Sequence, residues 1–441
     1  MSAAWPERLI EAGTLFLLVF APLAFGTVEP WSEAIAELVV LAMAATYVLG
    51  TLRHWEFRLE LPPGWLPALL FLALVFVRTV PFLGAARSLD PQATWREGVK
   101  LLTVAAFFLV CYNTYRTAAQ ARRALWTMVV MGALISIFGI VQRVTWNGRL
   151  YWIGPPAPLN SAPFGPYVNR AHFAGLMVIV VPVALAVVLA AKGGAQPRPW
   201  VPRWADRLKD WSTESDATRL IPFLILVMGG AALVSGSRGG LLALAAALLL
   251  MGGGLWAQGQ RGRWRARRVA LAAVLIFLAG AWISSDILYG TIERLAEEVG
   301  RPAESARLLI WRDALTLWRE APALGTGLGT FAVAYPHVRT FPAPVSFTHA
   351  ESDWVELLTD TGVVGLGLAF AAIARLGLAC LRRFAHAENR WARALTLAGL
   401  VAIVGTAVQG IANYNLPVMS NLLYLASIAA LSRSASASSR R

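Results

Sequence analysis

The chain has few charged residues, few histidines and very few cysteines. Charged residues make up 15% of its 441 amino acids, against about 25% in an ordinary soluble domain, so that class is excluded. The two cysteines, Cys111 and Cys380, lie inside apolar runs, which argues against a disulfide framework and against a cysteine metal site. His349 has no second histidine at ligand spacing, so the indication of a metal site is weak, and we expect no cofactor.

Long apolar runs are what the sequence has in abundance. Hydrophobic residues make up 57% of the chain, and they recur in runs of roughly 17 to 25 residues, the length with which a helix crosses a membrane. The first run is too long for a removed signal peptide and is expected to be a retained anchor. We predict an all-α, polytopic membrane protein with about twelve spans: 9–28, 34–52, 65–83, 99–114, 124–144, 172–191, 220–236, 239–257, 269–285, 357–379, 394–412 and 416–432.

The net charge of +14 is unevenly distributed. Its basic clusters occupy alternate connections between the predicted spans: 53–58, 116–123, 192–209, 261–268, 382–393 and 433–441. This is the positive-inside pattern, and it predicts that both termini are cytoplasmic. Anionic lipid headgroups suffice to explain so basic a surface, so membrane lipids are expected as partners and nucleic acid is not.

This topology divides the chain into four parts. Residues 1–284 form an N-terminal bundle of about nine spans, with an outer segment at 145–171 whose prolines, glycines and aromatic residues are typical of an extended lid. Residues 285–362 form a large outer loop between the ninth and tenth spans. Residues 363–432 form the C-terminal transmembrane helices, and residues 433–441 a disordered cytoplasmic tail.

Two patterns stand out in the large outer loop. Apolar residues at helical spacing, from Leu308 to Trp318, predict a helix over 303–320. The glycines of the segment 325–329 have a spacing like that of dinucleotide loops, but they follow a helix rather than a strand, so that interpretation is rejected. They favour a tight turn or the approach of backbone amides to an anionic group.

Arginines on the outer side give the strongest indication of a ligand. Arg238 lies between two apolar runs, and an arginine near a bilayer core costs on the order of 2.5 to 3.5 kcal/mol on insertion scales. Arg238 either faces a cavity with an anionic partner such as phosphate or extends to the surface from a short turn. Arg170 and Arg307 lie on the same side, and arginines around one cavity suit a diphosphate. Taken alone, Arg307 fits a solvated helix face better than a binding site, and at most one of Arg307 and Arg312 needs to face the site.

Three titratable residues alternate in the segment 348–353. In an extended strand, His349, Glu351 and Asp353 would point the same way and could form a general base with its orienting group, or a hard-metal site. At a helix start, Thr348 and Glu351 would fit a capping box instead. For His349 the chemical role is favoured, because a neutral imidazole accepts a hydroxyl proton near neutral pH.

Taken in order, these segments resemble the O-antigen ligase and polymerase superfamily. The resemblance covers residues 160–370 and rests on five segments: Asn169-Arg170-Ala171-His172; Ser237-Arg238-Gly239-Gly240; Arg307 with Ile310-Trp311; Pro322 to Gly327; and His349 to Gly362 with Gly365. It implies a GT-C-like bacterial inner-membrane protein whose active site faces the periplasm.

The resemblance also implies a reaction. Members are inverting, metal-independent glycosyltransferases that move a glycan from undecaprenyl diphosphate to an acceptor sugar hydroxyl. Arg238 and Arg307 would then hold the diphosphate, and the histidine of the outer loop would activate the acceptor. Family members usually have the residue pair His-Asn eleven residues before the first of two glycines. This chain has Glu351-Ser352 at that position. Either His349 or Glu351 is therefore the base. The substrate-binding candidates are Arg238, Arg307, Arg170, Asn169, His172 and Arg312.

Three acceptors suit this chemistry. Ligation to lipid A-core is the leading expectation, and the alternatives are a polymerase that extends a glycan and an O-linked protein glycosyltransferase. A transporter or flippase of a lipid-linked anion is the alternative of another class. It would use Arg238 for binding without any base, but the sequence shows none of the related halves with interrupted helices that this class has.

Overall fold

The computed structural model describes residues 5–53, 59–81, 87–154, 163–191, 214–258, 263–276, 278, 306–342 and 346–437. Within these ranges the regular elements are helical, as predicted. In chain order they are α1 (Trp5–Leu23), α2 (Pro30–Arg53), α3 (Trp65–Val77), α4 (Pro91–Thr114), α5 (Ala118–Val144), α6 (Arg170–Ala191), α7 (Glu214–Ser235), α8 (Arg238–Trp256), α9 (263–276), α10 (Ala306–Glu320), α11 (Phe331–Ala334), α12 (Asp353–Ala385), α13 (Arg390–Ala412) and α14 (Met419–Ala437).

Seven of these helices are long and apolar enough to cross a membrane: α2, α4, α5, α6, α8, α12 and α13. The chain is therefore a polytopic helical membrane protein. In the described residues each predicted apolar run includes a helix, although the runs 9–28 and 65–83 continue beyond the ends of their helices at Leu23 and Val77. Twelve spans, the orientation of the termini and the position of the large loop stay predictions. The predicted loop helix is α10, and its residues 303–305 lie outside the described part.

Two boundaries differ from those expected. The tail predicted as disordered from residue 433 begins as helix, because α14 continues to Ala437. The loop predicted to end at residue 362 ends in helix too, because α12 already begins at Asp353. Residues 285–305 and 343–345 of that loop, and residues 155–162 of the predicted lid, lie outside the described residues.

The centre of the bundle is α6, whose residues 173–183 are almost fully buried. It packs against α5, α7, α8 and α13. Close approach depends on small residues, since a side chain at Gly132 of α5 would meet Val180, and one at Gly405 of α13 would meet Val178. Small residues in such places let membrane helices gain van der Waals contact where lipid supplies no hydrophobic drive.

The helix α12 is interrupted at Gly362, and the outer loop fills the break. Gly362 has φ 64° and ψ −171°, which no other residue type adopts readily. The amide of Val363 donates to the carbonyl of Pro322 at 3.0 Å, and that of Val364 donates to Ala323 at 3.2 Å. The loop that follows α10 thus replaces the lost helical acceptors and is tied into the bundle.

The glycine segment that follows surrounds a carboxylate of the protein itself. Gly329 donates its amide to Oδ2 of Asp360 at 2.6 Å, and Gly327 donates to the main-chain oxygen of the same residue at 2.8 Å. Gly325, Gly327 and Gly329 all have positive φ. The segment is thus a tight turn whose amides donate to Asp360.

The geometry at Gly362 predicts the effect of Gly362→Ala. A non-glycine residue in this backbone region costs on the order of 1–3 kcal/mol, and the new Cβ would lie 2.5 Å from the amide nitrogen of Leu324. We expect the melting temperature of the detergent-solubilised protein to fall by on the order of 5 °C. Gly367→Ala is the matched control, because it lies in the same helix with open space around it. Equal melting temperatures for the two variants would contradict this role.

Candidate functional site

The site is assembled around Asn413-Tyr414-Asn415, the segment that follows α13. The ring of Tyr414 stacks on His349, with ring centroids 4.2 Å apart and planes inclined by 18°. The same ring meets the edge of His172 at 5.0 Å, and its hydroxyl accepts a hydrogen bond from Nδ2 of Asn169 at 3.4 Å. The segments 169–172 and 348–353, which are far apart in the sequence, therefore both contact Tyr414.

His349 is oriented by a carboxylate that sequence reasoning missed. Its Nδ1 lies 2.9 Å from Oε1 of Glu356, while Oε2 of Glu356 accepts the amide of Ala350 at 2.9 Å. Burial alone would lower the pKa of His349, but the charge and hydrogen bond of Glu356, with smaller contributions from Glu97 and Glu351, raise this pKa above its ordinary value. A proton on Nδ1 leaves Nε2 free to accept one.

The predicted capping box at Thr348 and Glu351 is wrong. The N-cap of α12 is Ser352, whose hydroxyl accepts the amide of Val355 at 3.4 Å. Glu351 has φ 57°, in the left-handed region. This residue turns the chain just before the cap, so the helix begins later than the capping box requires.

The same turn overturns the alternative, an extended strand with three side chains on one face. His349 points to Glu356, Glu351 points to Arg307, and Asp353 is buried on the inner side. Its Oδ1 accepts the amides of Asn415 at 2.8 Å and of Leu416 at 2.9 Å. Asp353 thus fixes the segment that carries Tyr414.

Arg307 reaches the site from α10. Its Nη2 lies 3.4 Å from Oε2 of Glu351, and among the described residues its buried Nε has no hydrogen-bond partner. The helix is held in place by Trp311, whose Nε1 donates to the carbonyl of Ala350 at 2.9 Å. Arg312 lies on the exposed side of α10, so its contribution stays a prediction.

Arg170 and Arg238 gather beside this segment. Each is the first residue of its helix, α6 and α8. Arg170 lies within electrostatic range of Arg238 and of Arg143, which is in the last turn of α5. Its Nη1 lies against Gly236. The next residue of α8, Gly239, packs against the side chain of Asn413. Like charges so placed repel one another unless an anion lies between them.

Several buried polar atoms at this end have no hydrogen-bond partner in the described part of the chain. They are His172 Nε2, Gln409 Oε1, Asn413 Nδ2 and Asn415 Nδ2. Buried polar groups are almost always paired, so this end of the bundle suits a polar ligand or ordered water. No group of three histidine, cysteine or acidic side chains that could hold a metal ion occurs among the described residues.

Sequence reasoning therefore missed Glu356, Tyr414 and Arg143. Asn413-Tyr414-Asn415 did carry a signal, because it is a polar triplet between two apolar runs. Glu356 carried none, because its distance from His349 depends on the turn at Glu351.

A known protein family matches the part of the chain that runs from α7 to α12. Residues 223–370 match the family model described as O-antigen ligase. That range includes Arg238, Arg307, His349, Glu351 and Glu356. No curated protein matches the sequence.

Replacing Glu356 by Gln should destabilise the protein most at low pH. Because the pKa of folded His349 lies above its value in the unfolded chain, the stabilisation is complete below the unfolded pKa and is lost as pH rises through the folded pKa. We expect the loss in melting temperature to be larger at about pH 5.5 than at about pH 9, by on the order of a few degrees. Glu351→Gln, which alters a smaller contribution, is the control. A loss independent of pH would contradict the pairing.

Proposed function

We propose that this chain, whose residues 223–370 match the O-antigen ligase family, is an inverting, metal-independent glycosyltransferase of the bacterial inner membrane. The donor is a glycan on undecaprenyl diphosphate, the acceptor is a sugar hydroxyl, and transfer takes place at the periplasmic face. We assign it to ligation onto lipid A-core. The observation that carries the proposal is the contact of His349 with Glu356 at 2.9 Å, at the end of the bundle where arginines gather.

In the proposed step, His349 is the general base. Its Nε2 takes the proton of the acceptor hydroxyl while the oxygen attacks the anomeric carbon of the donor sugar. The bond from that carbon to the diphosphate oxygen breaks, its electron pair stays on the diphosphate, and attack from the opposite face inverts the carbon. Glu356 stabilises the imidazolium that forms, and stacking on Tyr414 keeps the ring in place.

The arginines act on the leaving group. Guanidinium groups of Arg170, Arg238 and Arg307 suit a diphosphate, because each can form two charge-assisted hydrogen bonds. They would also stabilise the charge that the departing diphosphate gains. The pair of Arg307 with Glu351 is long, at 3.4 Å, and both side chains are partly exposed. Such a pair is weak, so a diphosphate can replace or share it.

This arrangement favours His349 over Glu351 as the base. The carboxylate of Glu351 already has a partner in the guanidinium of Arg307. His349 has the orienting carboxylate that a histidine base uses. We therefore propose that Glu351 positions Arg307.

A transfer assay tests these assignments. Purified protein, an undecaprenyl-diphosphate glycan and a lipid A-core acceptor are combined in EDTA, and ligated product is measured. His349→Ala should lose about 10²–10⁴-fold in rate because the base is removed. Arg238→Ala should lose a comparable factor, on the order of 10²-fold, because the leaving group loses its donors. Arg319→Ala is the control, since it removes an exposed arginine from α10, and it should retain wild-type activity.

Each contrary outcome has a distinct meaning. Activity retained in His349→Ala but lost in Glu351→Gln would make Glu351 the base. Longer glycans from the donor alone would indicate a polymerase, and a glycosylated protein would indicate an O-linked protein glycosyltransferase. Absence of any transfer, with movement of the lipid-linked donor across vesicles, would indicate a transporter.

The pH dependence of transfer provides a separate test of the dyad. His349 must be neutral to accept a proton, and its pKa is raised. The acid limb of kcat/KM should therefore lie above the ordinary histidine value of about 6.5. Glu356→Gln should move this limb to lower pH, because the main charge that raises the pKa is gone. Glu351→Gln should move it less. An unchanged limb in Glu356→Gln would contradict the role of Glu356.

A further inference from the structure

Two arginines flank one buried tyrosine at the end of the bundle opposite the candidate site. Tyr112 lies near the end of α4 and is 5% exposed. Arg383 of α12 donates through Nη2 to its hydroxyl at 3.0 Å, and Arg433 of α14 donates through Nη1 to its carbonyl at 2.9 Å. The guanidinium carbon of Arg433 lies 4.5 Å from the centroid of the tyrosine ring. Both charges are therefore held in fixed positions.

Among the described residues, the positive charge of this cluster is not balanced. Arg433 pairs with Glu60, whereas Nη1 of Arg383 is buried and has no hydrogen-bond partner among the described residues. A further guanidinium, that of Arg116, is exposed and lies within electrostatic range of Glu60. The arginines named here outnumber their carboxylate, and an arginine at a membrane boundary normally has a partner.

The position of the cluster indicates what that partner is. The cluster lies where α4, α12 and α14 end, and neighbouring helices expose leucines as lipid-facing helices do, among them Leu52 at 60% and Leu381 at 47%. Tyrosine and arginine at helix ends lie at the depth of lipid headgroups. We propose that Arg383 and Arg433, with Arg116, bind the phosphate of an anionic phospholipid, with Tyr112 as the platform that positions them.

The phosphate can accept from the free Nη1 of Arg383 and from the exposed guanidinium of Arg116. Glu60 satisfies one donor of Arg433 and leaves the excess positive charge to the headgroup. This site is separate from the proposed transfer reaction, so its test does not depend on the substrate.

Thermal unfolding of the full chain in an uncharged detergent tests the proposal. Phosphatidylglycerol, phosphatidylcholine and inorganic phosphate are added separately, and the change in melting temperature is measured. Phosphatidylglycerol should raise the melting temperature by on the order of 5 °C, and more than phosphatidylcholine does. Arg383→Gln should lose at least half of this shift. Arg382→Gln, which removes the adjacent, exposed charge of the same turn, should keep it.

Three results would overturn the proposal. They are an equal shift in Arg383→Gln and Arg382→Gln, an equal effect of phosphatidylcholine, and a full shift with inorganic phosphate alone, which would make this a site for free anions. If Arg383→Gln does not yield monodisperse protein, Arg383→Lys decides instead. It keeps the charge but loses the second donor, and an unreduced shift in it would count against the proposed contact.

Discussion

The buried carboxylate of Asp353 is the constraint on which the candidate site depends. It accepts the amides of Asn415 and Leu416, while its own amide donates to the carbonyl of Asn413 at 3.1 Å. The start of α12 and the segment after α13 are thereby one unit. Tyr414 lies within that unit, and it can stack on His349 and meet His172 only because both ends of the segment are held. Loss of the Asp353 side chain would leave the amides of Asn415 and Leu416 without their acceptor, and buried donors without an acceptor are costly.

Three helices begin at this end of the bundle, and that is why it suits an anion. The amino ends of α6, α8 and α12 lie beside the segment 413–415, and each carries a partial positive charge from its unpaired amides. At α12 the partial positive charge of the helix end lies beside two acidic residues of its own first turn, Asp353 and Glu356. At α6 and α8 the first residues are instead Arg170 and Arg238, so the helix ends and the side chains have the same sign. An anionic ligand between those two helices meets both.

The sequence predicts what depends on local composition and misses what depends on contacts between distant segments. In the described part of the chain the apolar runs form helices, since membrane-spanning backbone must satisfy its hydrogen bonds internally. The arginines are also candidates from the sequence, because a charge among apolar residues is visible without a structure, and their role stays a prediction. The break at Gly362 is different, since it persists only because Pro322 and Ala323 supply acceptors to α12. The left-handed turn at Glu351 likewise determines which carboxylate meets His349, and no periodicity indicates it.

That turn also explains how the chain departs from the family pattern without losing either role. The residue eleven positions before Gly362 is Glu351, and it faces Arg307, one of the arginines proposed for the diphosphate. His349 stands two residues earlier, and the reversal at Glu351 turns it toward Tyr414 and Glu356. If the proposed function is right, the segment 349–351 therefore contacts both reactants. Its carboxylate, Glu351, lies on the side of the leaving group, and its base, His349, lies on the side of the acceptor. An extended strand would have placed both side chains on one face, where the carboxylate would compete with the diphosphate for the space beside the base.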